Sequence, residues 1–202
     1  MRQLGGGLFS AQQYEDAFPI QQAELSTLRR LDAPECDMLV TQTNLASTYH
    51  FIGRPEEALS MRQEVYSGNL KLNGEEHQST LIAANNYATS FLSLHRFEEA
   101  KALLRKTIPV AQRILGESHN LTFSLRSIYA DALHQDADAT LDDLRESVTT
   151  LEELERTARR VLGDAHPLTG RIELHLREEA RAALAAREGV ESIRDAVGAL
   201  NT

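Results

Sequence analysis

The chain has 202 residues, 42% of them hydrophobic and 25% charged, a composition that suits one or two folded domains and excludes wholesale disorder. Thirty acidic residues against 21 basic ones leave a net charge of −9, which argues against nucleic acid as a partner, because a phosphate backbone is gripped by clustered Lys and Arg. Cys36 is the single cysteine and no apolar run nears the ~20 residues that span a bilayer, so a reducing, cytoplasmic setting without a membrane partner is expected.

In chain order, the opening MRQLGGGLFSAQQ lacks the apolar core and small-residue cleavage site of a secretory leader. Its glycines also lack the spacing of a dinucleotide fingerprint. Residues 1–31 read as a partial first repeat, because QQYEDA at 12–17 matches GRPEEA at 53–58 and HRFEEA at 95–100. Residues 32–73 form the next unit and residues 74–115 the one after it. Gly74, His77, Thr80, Tyr87 and Ala88 recur 42 residues later as Gly116, His119, Thr122, Tyr129 and Ala130. Asp32 and Glu35 stand in the unit at 32–73 where the later units have Gly and His. The unit at 116–162 is about five residues longer, with the extra length expected near HQDADATLDDL, and GDAHPLTG at 163 opens a degenerate terminal repeat with capping helices over 163–202.

Each unit reads as two helices. Leu81, Ala84, Ala88, Phe91 and Leu92 keep the three- and four-residue spacing of an amphipathic helix over 78–94, the A helix. Ala100, Leu103, Leu104, Ile108, Ala111 and Leu115 repeat that spacing in the B helix, which Gly116 ends. Ala46, Ala88 and Ala130 on A helices, and Ala58 and Ala100 on B helices, mark places where backbones approach closely. Pro19 is expected within about a turn of its helix start, and Pro109, in mid-helix, is expected to bend its helix without ending it. One unit cannot cover both apolar stripes, so neighbouring units must stack.

The pattern NLASTYHFIGRPEEA, from Asn44 to Ala58, resembles the tetratricopeptide repeat, and the LGESH and LGDAHPLT linkers resemble its kinesin light chain type. That resemblance implies an all-α fold, a right-handed alpha-alpha superhelix of helix-turn-helix repeats about 42 residues long. It also implies a protein or peptide partner, held in a concave groove lined by A helices. Asn44 and Asn86 match the position from which an asparagine bonds the backbone of an extended peptide, and stacking of adjacent A helices is an alternative role for both. Counting along the same face adds Thr43, Ser47 and His50, then Asn85, Thr89 and Ser93, then Ser127, Asp131 and His134. Repeats of this family that grip a terminal carboxylate use Lys or Arg on helix A. Val40, Asn44, Ile82, Asn86, Ser124 and Ile128 hold those positions here, and Arg126 lies off the inferred face, so no carboxylate handle and only weak salt dependence are expected.

Catalysis is not expected. His77, His119 and His166 come one per repeat, so they would stand at least a helix diameter apart, too far to share a metal, and each is expected to bond nearby backbone at a helix start. His50, His95, His134 and His175 lack ligand spacing, and no nucleophile elbow or phosphate loop is present. Neither metal, cofactor nor small-molecule substrate is expected. A structural or oligomerisation spacer within a larger protein is the alternative function.

Overall fold

The computed structural model describes residues 14–174 and 180–200, so the glycine-rich start and His175 lie outside the described residues. No strand occurs among them. The helices are α1 (Tyr14–Arg30), α2 (Glu35–Phe51), α3 (Pro55–Asn73), α4 (Gln78–Ser93), α5 (Phe97–Leu115), α6 (Asn120–His134), α7 (Leu141–Leu162), α8 (Pro167–Leu174) and α9 (Arg181–Leu200). They fall into two compact units, residues 1–96 and 97–202.

In the first unit α1 packs on α2, α2 on α3 and α3 on α4. The apolar stripes read from the sequence face inward. Leu81, Ala84, Ala88 and Phe91 of α4 are buried, while Leu92 is half-buried. Ala46, Ala58 and Ala88 have no exposed surface, as expected of side chains that let two helix backbones close together. Pro55 opens α3 at its first position, where a helix has no amide bond to lose. Pro19 departs from expectation: it is the sixth residue of α1 as described, beyond the first turn, yet the helix runs on to Arg30.

In the second unit α6 packs on both α5 and α7, and α7 receives α8 and α9. Ala100 and Ala130 are again fully buried, and Phe123, Leu151, Leu154, Ala158, Ile172 and Ala180 form a continuous core. Pro109 lies inside an unbroken α5 on its exposed side. The extra length of the third unit is shared between the connection and the helix. Residues 135–140 join α6 to α7 where 94–96 join α4 to α5, and α7 runs 22 residues against 19 in α5. A capping box fixes that new helix start, with the Thr140 hydroxyl accepting the Asp143 amide and the Asp143 carboxylate accepting the Thr140 amide.

Candidate functional site

The recurring Gly-His-Thr pattern builds the turn that swings the chain from a B helix into the next A helix. Gly74 ends α3 at φ 82° and ψ 173°, a backbone region open only to glycine, and Gly116 and Gly163 share its positive φ at 90° and 86°. Three residues later His77 caps α4, its Nδ1 accepting the Ser79 amide at 3.2 Å. His119 caps α6 in the same way, accepting the Leu121 amide at 3.1 Å. The Thr80 hydroxyl then reaches back to the carbonyls of Gly74 at 2.7 Å and Asn69 at 3.2 Å, and Thr169 bonds Gly163 at 3.0 Å. His77 and His119 thus do what their spacing implied. Asp32 at φ 48° replaces the turn glycine of the earlier unit, and His95 at φ 54° stands where the preceding repeat has Gly53 at φ 76°.

The turn at 74–77 places α4 beside α2 and leaves an open cleft of about 370 Å³ between them, floored by α3. Asn44 and Thr43 of α2 and Asn86 of α4 line it, with Val65, Asn69 and Leu72 below. Val40 and Ile82 stand on opposite walls and are 50% and 43% exposed. No Asp, Glu, Lys or Arg side chain is among its lining residues. Such a wall of unpartnered aliphatic side chains, rimmed by carboxamides, can take up an apolar side chain while the amides pair with a backbone.

The other residues of the inferred face are distributed differently. Ser47, His50, Asn85, Thr89 and Ser93 do not line the cleft. The hydroxyls of Thr43, Ser47, Thr89 and Ser93 each donate to the carbonyl four residues earlier in their own helix, the usual solution for a hydroxyl in mid-helix. Their donors are therefore already engaged, and only their lone pairs stay free for a ligand. Asn85 Oδ1 is buried without a hydrogen-bond partner. Ser127 and Asp131 are half-buried on α6 of the second unit. His134 does not stand open as inferred. It is buried against α7, with Nδ1 2.7 Å from the Ala130 carbonyl and 3.2 Å from the Ser147 hydroxyl.

Counting along A helices alone missed Arg62, a B-helix residue. Ala58, Arg62, Val65 and Asn69 are buried along α3, and of these Val65 and Asn69 floor the cleft while Arg62 does not line it. Arg62 is 8% exposed, and its Nη1 donates to the Asn86 carbonyl at 3.0 Å and to the Ser90 hydroxyl at 2.8 Å. Burial holds the guanidinium below its ordinary pKa, and burial together with the Arg62 charge lowers that of His50. The repeat frame carried the signal: one 42-residue step maps Arg62 onto Leu104, and the longer 47-residue step maps that onto Leu151, both fully buried.

The second unit satisfies its buried cations. Arg126, off the inferred face, pairs with Glu117 at 3.2 Å and Glu153 at 2.5 Å. Lys101, 3% exposed, faces Glu98 at 2.5 Å, Asp136 at 3.6 Å and Asp143 at 4.0 Å. The lengthened connection contributes Asp136, and the start of α7 contributes Asp143. Among the described residues no group of three or more His, Cys, Asp or Glu is arranged to hold a metal, and no described helix is long and apolar enough to cross a membrane.

Two successive 42-residue stretches, 38–79 and 80–121, match the family model for the tetratricopeptide repeat. None of the curated proteins matches the chain. Among solved structures, the nearly identical TPR-like repeats of a kinesin light chain candidate from Podosopora anserina superpose with a TM-score of 0.77 at 20% identity, covering 98% of this chain and 92% of that one. A singly substituted form of those repeats gives 0.78 at the same identity, covering 98% of this chain and 91% of that one. BtubC (BKLC) from P. vanneervenii gives 0.68 at 16% identity, covering 95% of this chain and 78% of that one.

Proposed function

For a chain that carries tetratricopeptide repeats at residues 38–121 and shares the fold of kinesin light chain-like repeat proteins, we propose a non-catalytic scaffold that binds an extended segment of a partner protein in the cleft between α2 and α4. One observation carries the reading: Asn44 and Asn86, one repeat apart at the same helical position, share an open cleft with the exposed aliphatic walls of Val40 and Ile82. Each carboxamide offers a donor and an acceptor, so the pair can bond the amide and carbonyl of an extended chain whatever its sequence. The aliphatic walls then prefer an apolar side chain between those anchors. The reading takes the repeats to run as units at 32–73, 74–115 and 116–162, and the setting to be cytoplasmic, in keeping with the lone, exposed Cys36.

Replacing Asn44 and Asn86 together with Ala tests this. About two hydrogen bonds of ~0.5–1.5 kcal/mol each would be lost, so affinity for a bound peptide should fall roughly five- to a hundredfold while the melting temperature changes little. A double variant that unfolds, with unchanged affinity per folded molecule, would make the asparagines stacking residues.

A further inference from the structure

Each unit carries a crevice between two successive B helices, with the intervening A helix at its base. In the first unit it runs between α1 and α3, encloses about 300 Å³, and has Arg29 as the one cation of its lining, beside Glu35 and Glu64. In the second unit it runs between α5 and α7 and encloses about 420 Å³, and Arg126, Arg156 and Arg160 line it with Glu117 and Glu153. The repeat matches the two crevices position by position. Two 42-residue steps carry Gln42 to Arg126, and steps of 42 and then 47 carry Glu64 to Glu153. Both pairs tie an A helix to the B helix that follows it: the Gln42 amide donates to Glu64 at 2.8 Å, and Arg126 Nη2 donates to Glu153 at 2.5 Å. A neutral amide makes that tie in the first unit, so the charge of Arg126 is surplus to it. Arg160 has a structural reason, because Arg29, Lys71 and Arg113 hold the same position near the ends of earlier B helices, where a cation suits the helix dipole. Arg156 has none, since Ser67 and Pro109 stand there in the two preceding repeats. Neither Arg156 nor Arg160 pairs with a carboxylate among the described residues, and Arg156 Nε donates to the Glu152 carbonyl of its own helix at 3.2 Å. The Thr157 hydroxyl, on the same wall, has no hydrogen-bond partner among them.

We propose that the crevice between α5 and α7 is a binding site for a phosphate monoester, held by the guanidinium groups of Arg156 and Arg160 and the Thr157 hydroxyl, with the buried Arg126 adding its charge from α6. A carboxylate has two oxygens in one plane and is served by a single guanidinium, as Glu153 is by Arg126. Two guanidinium groups and a hydroxyl on successive turns of one helix, lining one crevice, suit the three oxygens and near-double charge of a phosphate monoester. The site is separate from the cleft between α2 and α4, because no residue lines both. It does not depend on the scaffold reading above.

The test is a titration of the full 202-residue chain with methyl phosphate, and in parallel with acetate, at constant ionic strength and a pH where the phosphate is a dianion. Threonine methyl and arginine Nε–H NMR signals read it. Methyl phosphate should shift Thr157, Arg156 and Arg160 saturably at one site per chain, and acetate should leave them unmoved. Arg156→Gln and Arg126→Gln should each weaken the phosphate by about threefold or more. Arg126→Gln restores the residue that the first unit has at Gln42 and keeps a donor for Glu153, so a purely structural Arg126 would leave phosphate binding unchanged. Selection from a phosphoserine peptide library with random flanks then separates two sources of the same group. Sequences binding about tenfold tighter than methyl phosphate mark a phosphate carried on a partner chain, and a library without them marks a free monoester. Phosphate shifts that do not saturate, acetate that binds as well as phosphate, or variants that bind like the wild type overturn the site.

Discussion

Gly74→Ala isolates the backbone demand of the repeating turn. A Cβ built on Gly74 meets no atom within 4 Å, so the substitution introduces no clash with neighbouring side chains and the effect comes from φ 82° and ψ 173° alone. Holding a residue with a Cβ in that region costs about 1–3 kcal/mol, and alanine's smaller unfolded-state entropy returns roughly 0.4–1 kcal/mol. The net loss is about 1–2 kcal/mol, or ~2–8 °C in melting temperature for a chain of this size. Gly189→Ala is the matched control, because it adds the same methyl group inside α9, again with nothing within 4 Å and no positive φ. There the helix should gain roughly 1 kcal/mol and melt later. Differential scanning calorimetry reads both, and hydrogen exchange assigns each change to its unit. If Gly74→Ala is neutral or stabilising, the glycine of the repeat is not there for its backbone, and the account of the turn is wrong.

Two further outcomes follow from the same packing. Thr80→Val keeps the shape but strips the bonds to the Gly74 and Asn69 carbonyls, and chemical denaturation should show a loss of about 1–2 kcal/mol. Lys101→Met should destabilise the second unit at neutral pH, because it leaves Asp136 and Asp143 facing a buried apolar site. Burial pushes the Asp143 carboxyl up, but its bonds to Thr140 and the nearby Lys101 and Arg105 charges outweigh that and hold its pKa below the ordinary value. For Lys101, burial pulls down while Glu98, Asp143 and Asp136 raise it above its ordinary value. The depressed carboxylate stabilises the fold above about pH 4 and loses that contribution as the pH falls through its folded pKa, whereas the lysine's contribution holds up to about pH 10. The gap between variant and wild type should therefore narrow as the pH falls through the folded Asp143 pKa, and a gap that stays constant from neutral pH down to acid unfolding would contradict the charge account.

The helices, their small-residue contacts and the capping histidines were legible because each repeats a local rule at a fixed interval. Ala46, Ala88 and Ala130 could be read as close-approach points since one repeat predicts the next. Asn44 and Asn86 could be set at matching points of neighbouring A helices for the same reason, and both line the one cleft. The errors come where a residue's partner is not periodic. His134 occupies a face position but turns into α7, where the Ser147 hydroxyl and the Ala130 carbonyl draw its ring. The hydroxyls of Thr43, Ser47, Thr89 and Ser93 are donors on paper, yet the nearest acceptor is their own helix. Arg62 was hidden by attention to A helices, although comparison with Leu104 and Leu151 flags it without any structure.

The most direct test of the cleft as the binding surface is amide and methyl NMR of the labelled chain as a display-selected peptide is added. The account predicts that signals of Val40, Asn44, Ile82 and Asn86 move together and saturate at one peptide per chain. Saturable shifts confined to α7, α8 and α9, with those four residues unmoved, would contradict it.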